Sequence, residues 1–518
     1  MEIFSPNLEH GRFQLGQKMT LADNDICALS ATTIAAQISD RSLSGEEVTR
    51  AFLQRIETFN PTLNAVCTLN EEALSQAQAA DQKLAQGGSA RLLEGVPFLA
   101  KDILHTKGIR TTFGSLIREH FIPGEDTLSV ERLKAAGAIL LGKTNTPEFA
   151  HDIHTTNKIF GATRNPFDVN VTAGGSSGGS GAAVAARLAP IAIGTDLGGS
   201  IRIPCSYNGI AGVRPSPGRV PVYPNEFGWD TLVAHVHGPM TWSAADLGLV
   251  LQALAGPDDR DPSSLPAAAC DYSHIAVEPP SLKNLRIAYV GNLDGLFPLD
   301  REVEALTKQA AYRFESLGCI VEETAFDTSG LRDIIAGTRG FGMVGRYADL
   351  YDAHKEQMTD QLINQVSTAL TLDVRTVVAA EKLRTVYWQR VRRFLESYDY
   401  IIAPAVGAPP FRLDQPLPSE VGGLPVKRYY DVFLACYAFS VTGLPIAAVP
   451  CGLTRSGLPI GIQIVARRLR DDRAVAAAAA YAQIAPEVFS APEVDSSKLQ
   501  AISGDLSTPG MAVKSDTP

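Results

Sequence analysis

The sequence predicts an α/β protein, a single large α/β/α sandwich with a mixed, mostly parallel central sheet surrounded by helices. Three observations lead there. Short apolar runs of strand length alternate with amphipathic stretches of helical period, the pattern of strands buried on both faces between helical layers. No internal repeat and no Ser/Gly-rich linker splits the 518 residues into independent halves, although a soft rule of roughly 150 residues per domain would allow about three. Apolar residues make up 45% and charged residues 20%, which suits a large buried core and not a disordered chain.

Residues 1–26 read as a polar N-terminal arm, 27–487 as the folded body and 488–518, rich in Ser, Pro, Asp and Thr, as a flexible tail. Ser44-Gly45-Glu46-Glu47 has capping-box spacing, and Val48, Phe52, Ile56 and Phe59 follow on one helical face, so a helix is expected up to Pro61. Helical pattern returns over 71–86. The apolar run 95–100 then reads as a buried strand that ends on Lys101. Further strands are expected at 138–142, 191–195, 286–290, 318–324, 400–405, 446–451 and 460–466, the last two joined in an antiparallel hairpin through Thr454–Gly457. Long amphipathic helices such as Val377–Tyr398 interrupt the alternation over 327–396, which reads as an insertion that covers or lines a site.

A net charge of −10 argues against nucleic acid as the main partner. The first residues show none of the basic, apolar and small-residue zones of a secretory signal, and no run reaches the ~18 apolar residues of a membrane span. Seven scattered cysteines, none in a CxxC pair, point to a reduced, cytoplasmic enzyme.

Two motif matches mislead. Gly137–Thr144 fits GxxxxGK[ST] letter for letter, but a phosphate loop needs its strand before the first glycine. Here a helix precedes Gly137 and the four middle residues form the strand, so Lys143 reads as a strand-end lysine. Gly175–Gly179 fits the GxSxG nucleophile elbow, yet that chemistry needs a late histidine, and the last one is His354. His151 with His154, or His235 with His237, lack a third and fourth ligand at zinc spacing and read as loop histidines; no metal is expected.

The most unusual stretch is 173–200. Five glycines fall within residues 174–181, and a second Gly-Gly-Ser stands at 198–200. Glycine is costly to order, so such clustering implies close backbone approach or conformations closed to other residues. The first run opens onto a helix expected from Ala182 to Leu188, a strand follows, and the second run opens another short helix. Two glycine-rich turns that each present a serine look like a nucleophile and its activator.

These residues resemble the amidase signature family. Its glycine- and serine-rich signature stands here as GGSSGGSGAAVAA followed by GTDLGGSIRIP, its lysine segment as GVPFLAKDILHTKG at 95–108, and its flank as LGKTNTPEF at 141–149. The similarity extends to GLPIGIQIVA at 457–466 and covers about residues 30–485. The resemblance implies the amidase signature fold, Ser200 as the acylated nucleophile, Ser176 as a bridging serine on a cis peptide after Gly175, and Lys101 as general base. It implies an oxyanion hole from the amides of Leu197, Gly198, Gly199 and Ser200, with Ser177 and Arg202 in support. It calls for no cofactor.

The chemistry can be argued from the side chains as well. A serine hydroxyl needs a base, and without histidine a lysine can serve if it is neutral when it accepts the proton. The ordinary lysine pKa is ~10.4, so burial at the end of an apolar strand would have to lower it. The expected activity is hydrolysis of a C–N bond in a small or medium amide, anilide or carbamate. A ureide hydrolase of the biuret or allophanate type, or the A component of a glutamyl-tRNA amidotransferase complex, is the alternative. Expected partners are the small-molecule substrate, no nucleic acid and no membrane, with a homodimer left open. Residues 223–237 and 327–396 are expected to wall the pocket, with Phe341, Met343, Tyr347 and Trp388 as candidate liners. Where many family members carry Asn before Gly-Leu-Pro, this chain reads Phe439-Ser440-Val441-Thr442-Gly443-Leu444-Pro445, a departure that bears on substrate contacts.

Overall fold

The computed structural model describes residues 23–492 and Val494, apart from 230–234, Pro416 and Tyr429; most of the N-terminal arm and of the tail therefore lies outside the described residues. Its strands are β1 (Val66–Leu69), β2 (Pro97–Lys101), β3 (Ile139–Thr144), β4 (Ile191–Asp196), β5 (Ala211–Arg214), β6 (Val236–Thr241), β7 (Arg286–Tyr289), β8 (Ile320–Glu323), β9 (Tyr400–Pro404), β10 (Glu420–Val421), β11 (Leu424–Pro425), β12 (Ile446–Leu453) and β13 (Pro459–Ala466). Eleven of them form one sheet in the order β1-β3-β2-β4-β6-β5-β12-β13-β9-β7-β8, while β10 and β11 pair apart.

The sandwich and its mixed sheet are as expected, but the parallel share is smaller. The pairs β2–β3, β2–β4, β7–β9 and β7–β8 are parallel. The centre of the sheet, from β4 through β6, β5, β12 and β13 to β9, is antiparallel throughout, as is the edge pair β1–β3. Alternation of helix and strand implies parallel neighbours only where each helix returns the chain beside the strand it left. Here the β12–β13 hairpin inserts between β5 and β9, and β5 and β6 were not among the expected strands.

Helix boundaries follow local chemistry. The capping box at Ser44 is present, and the helix Gly45–Leu63 continues past Pro61. A proline so near the C-terminal end removes a single backbone donor, and Asn60 Oδ1 closes the end by accepting from the amides of Ala65 and Val66. The helix after the first glycine run spans Gly178–Ala185, starting inside the glycines instead of at Ala182. The segment 327–396 holds the helices Leu331–His354, Asp360–Leu370 and Val374–Ser397. One hydrophobic core joins residues from Ile26 to Ala485, and a small second cluster lies beneath the inserted helices around Phe149, Met343, Met358 and Leu362. No helix among the described residues is long and apolar enough to cross a membrane.

Candidate active site

Parallel pairing of β2 with β4 brings two strand ends side by side. Lys101 closes β2, and Thr195 and Asp196 close β4. Lys101 is wholly buried; its Nζ lies 2.6 Å from Ser176 Oγ and donates to Thr195 Oγ1 at 3.0 Å. Burial pushes the Lys101 pKa well below the ordinary lysine value, with the Asp196 carboxylate opposing.

Ser176 follows a cis peptide from Gly175. An added Cβ at Gly175 would stand 2.5 Å from the Asp152 carbonyl, so only glycine lets the two backbones approach. The Ser176 carbonyl accepts from Thr146 Oγ1 at 3.1 Å. Ser177, also buried, links both turns: its amide donates to the Ser200 carbonyl at 3.1 Å, and its hydroxyl accepts from the Thr195 amide and donates to the Thr195 carbonyl, both at 3.3 Å. That engagement removes Ser177 from the role a GxSxG elbow would give it.

The second glycine turn is built around Asp196. Its carboxylate accepts from the Gly199 amide at 2.8 Å and the Ile201 amide at 3.2 Å, and it pairs with Arg202 at 2.9 Å and Arg214 at 3.5 Å, all three side chains fully buried. Burial alone would raise this carboxyl, but the Arg202 and Arg214 guanidinium groups outweigh it and hold the pKa at about 2. Arg202 reaches further, donating to the Cys436 carbonyl at 2.9 Å and to Gln463 Oε1 at 2.8 Å, which ties the turn to the helix Leu434–Ser440 and to β13.

The Gly199 amide is already engaged by Asp196, and Gly199 does not line the cavity. Leu197, Gly198 and Ser200 do.

A cavity of about 690 Å³ opens on the site, lined by Gly175, Ser176, Thr195, Leu197, Gly198 and Ser200. Its farther walls carry Phe113, Phe121, Phe149, Tyr347 and Tyr437, with His151, His235, His237 and Arg339. Burial lowers the pKa of all three histidines, that of His237 to about 3, so each presents a neutral imidazole at neutral pH. Residues Tyr223–Glu226, His235 and His237 line this space, and the lining residues from 327–396 all lie on the helix Leu331–His354. Of the four candidate liners only Tyr347 faces the main cavity. Met343 borders a small side recess, Phe341 is exposed, and Trp388 packs against the core. Among the described residues no group of three or more His, Cys, Asp or Glu is placed to hold a metal.

Sequence reasoning passed over Thr195, Asp196 and Arg214. The first two stood within the quoted GTDLGGS run, and a charged residue inside an apolar, glycine-rich segment is the signal that could have drawn attention to Asp196. Arg214 gave none, because its partner comes from another strand.

The amidase family model matches residues 47–475. An acylamidase of Rhodococcus erythropolis is 34% identical over 474 residues, 90% of this chain and 97% of the relative. The A component of the glutamyl-tRNA(Gln) amidotransferase of Coxiella burnetii is 35% identical over 470 residues, 84% of this chain and 93% of the relative. The crystal structure of a bacterial aryl acylamidase superposes with a TM-score of 0.83 at 29% identity, covering 90% of this chain and 98% of that one. Together with the fold and the cavity, these define a hydrolase of carbon–nitrogen bonds. The chain belongs to the amidase signature family.

Proposed function

We propose that the chain is a self-sufficient amidase that works through an acyl-enzyme on Ser200, with Ser176 as proton relay and Lys101 as base. The observation that carries this reading is a buried lysine amine 2.6 Å from Ser176 Oγ, at the wall of the cavity that also presents Ser200. Neutral Lys101 draws a proton through Ser176 from Ser200 as the Ser200 Oγ bonds to the amide carbon. The amides of Leu197, Gly198 and Ser200 receive the developing oxyanion. Collapse of the tetrahedral species breaks the C–N bond, and the proton on Lys101 returns through Ser176 to the leaving amine. Water then attacks the acyl-enzyme along the same relay and frees the carboxylic acid.

Aromatic rings and neutral imidazoles line much of the cavity and support an uncharged amide, anilide or carbamate, while Arg118, Arg339 and Arg346 share the lining with Asp152, Glu226 and Asp349; the volume lies within the range of small-molecule sites. Similarity to an acylamidase and to an aryl acylamidase supports the same substrate class. Seven free cysteines support a reducing, cytoplasmic setting. The test is a panel of amides, anilides, carbamates and ureas assayed with wild type and Ser200→Ala. At least one C–N bond should be cleaved by wild type and none by the variant; full activity in Ser200→Ala would overturn the nucleophile assignment.

Similarity to the A component of an amidotransferase favours a second reading, in which this chain works inside a heteromer. A stable complex with a tRNA-binding partner on purification from its native host would support it.

A further inference from the structure

Lys143, the lysine of the phosphate-loop look-alike, has no part in the chemistry above, yet it is one of the largest wholly buried side chains of the protein. It lies on β3 directly beside β2, where Ala100 pairs with Lys143 and Lys101 with Thr144. Its ammonium donates to the Leu104 carbonyl, to Thr106 Oγ1 at 2.7 Å and to Thr111 Oγ1 at 3.0 Å. All three acceptors belong to the loop that leaves β2 immediately after Lys101.

That loop is closed at its neck by Asp102. The Asp102 carbonyl accepts from the Phe113 amide at 2.9 Å, and Oδ2 accepts from the Thr112 amide at 3.0 Å and the Thr112 hydroxyl at 2.5 Å. Between neck and tip the loop wraps the Lys143 ammonium, and Ile103, Leu104, His105 and Phe113 line the reaction cavity. Burial draws the Lys143 pKa down to about 8, with the Asp102 carboxylate opposing, so the group remains a charged donor at neutral pH. A buried charge that hydrogen-bonds three oxygens of one loop ties them to a single point on β3, in addition to the bonds within the loop from Thr106 Oγ1 to the Leu104 carbonyl and from Thr111 Oγ1 to the Ile109 carbonyl, both at 3.1 Å.

We propose that Lys143 is a positioning residue: it holds the loop 103–113 in the form that makes one wall of the cavity, and thereby sets substrate affinity and not the acyl-transfer step. The proposal rests on the reading that this cavity binds the substrate. A lysine that merely stabilised the fold would lower the melting temperature without a selective effect on KM.

The test compares wild type with Lys143→Met, Thr106→Val and Thr111→Val, using 4-nitroacetanilide as probe and hydrogen exchange of the full chain as a readout independent of turnover. In Lys143→Met, amides of 103–113 should exchange at least about tenfold faster while 191–207 keeps wild-type protection. KM for the anilide should rise at least about tenfold with kcat within about threefold. Should Lys143→Met not fold, the two threonine variants each remove one acceptor and carry the same expectation at about two- to fivefold. Unchanged exchange in 103–113, or a loss confined to kcat with KM unmoved, overturns the proposal. Wild-type protein inert toward every amide tested contradicts the hydrolase reading alone; exchange still decides whether Lys143 holds the loop.

Discussion

Two protonation states of one side chain separate an active Lys101 from an inert one. Its pKa is depressed by burial, so the amine becomes neutral at a pH well below 10.5 and activity rises as pH climbs through that value. The pH profile of kcat/KM should therefore show an ascending limb below the ordinary lysine range. Lys101→Ala should remove that limb and lower kcat by about 10²–10⁴-fold, the usual contribution of a positioned base; an unchanged profile would exclude Lys101 as the base. Gly198 makes a second point at this scale. An added Cβ there would lie 2.3 Å from Tyr437 Cζ, so Gly198→Ala must displace either the Tyr437 ring or the turn that carries the proposed oxyanion donors. Its kcat should fall by about 10²-fold, the order expected when one such donor is lost, with little change in thermal melting.

Elements meet at the Asp196 cluster, where the β4 terminus, the short helix Arg202–Tyr207 and β5 share one buried charge network. Asp196→Asn leaves two buried guanidinium groups short of a counter-charge and should cost about 3–5 kcal/mol, read as a lower denaturant midpoint. The sign of the pH effect follows from the depressed pKa. The stabilisation is present above the ordinary aspartate value of 3.8 and is lost as pH falls through about 2, so acid unfolding of wild type should set in below pH 4 and that of Asp196→Asn should lack this component. Legibility also divides by element. The strands β2, β3 and β4 announced themselves as apolar runs between helices. The strand β6, Val-His-Gly-Pro-Met-Thr, did not, because glycine and proline usually argue against a strand interior. Gly238 is there because a Cβ would come within 2.0 Å of the Val213 carbonyl on the neighbouring strand, a demand set by tertiary contact alone. Length alone does not decide: β7 and β8 have four residues like β1 and β5, but they were legible inside the runs 286–290 and 318–324, whereas β1 and β5 were not among the expected strands.

For the whole molecule, the residues that meet at the site come from positions 101, 176 and 200 on separate elements, and one sheet continues on both sides of them. Their identities were readable because each sits in a distinctive run. The cavity lining was readable only as segments: Arg339 falls within 327–396, but Tyr437 and His151 come from elsewhere, and only the finished fold brings the three together. The Asp196 contact that engages the Gly199 amide was equally hidden, because both groups lie in one glycine-rich turn whose shape the sequence does not show. A self-sufficient enzyme should hydrolyse an anilide as the isolated chain, without any added protein or nucleotide, and a strict need for a partner would favour the amidotransferase reading. Whether Ser200 forms the acyl-enzyme is decided by intact-mass and peptide mapping after treatment with phenylmethylsulfonyl fluoride. One sulfonyl adduct is expected, on Ser200, and none in Ser200→Ala. An adduct on Ser176 instead, or stoichiometric labelling that persists in Ser200→Ala, would contradict the assignment.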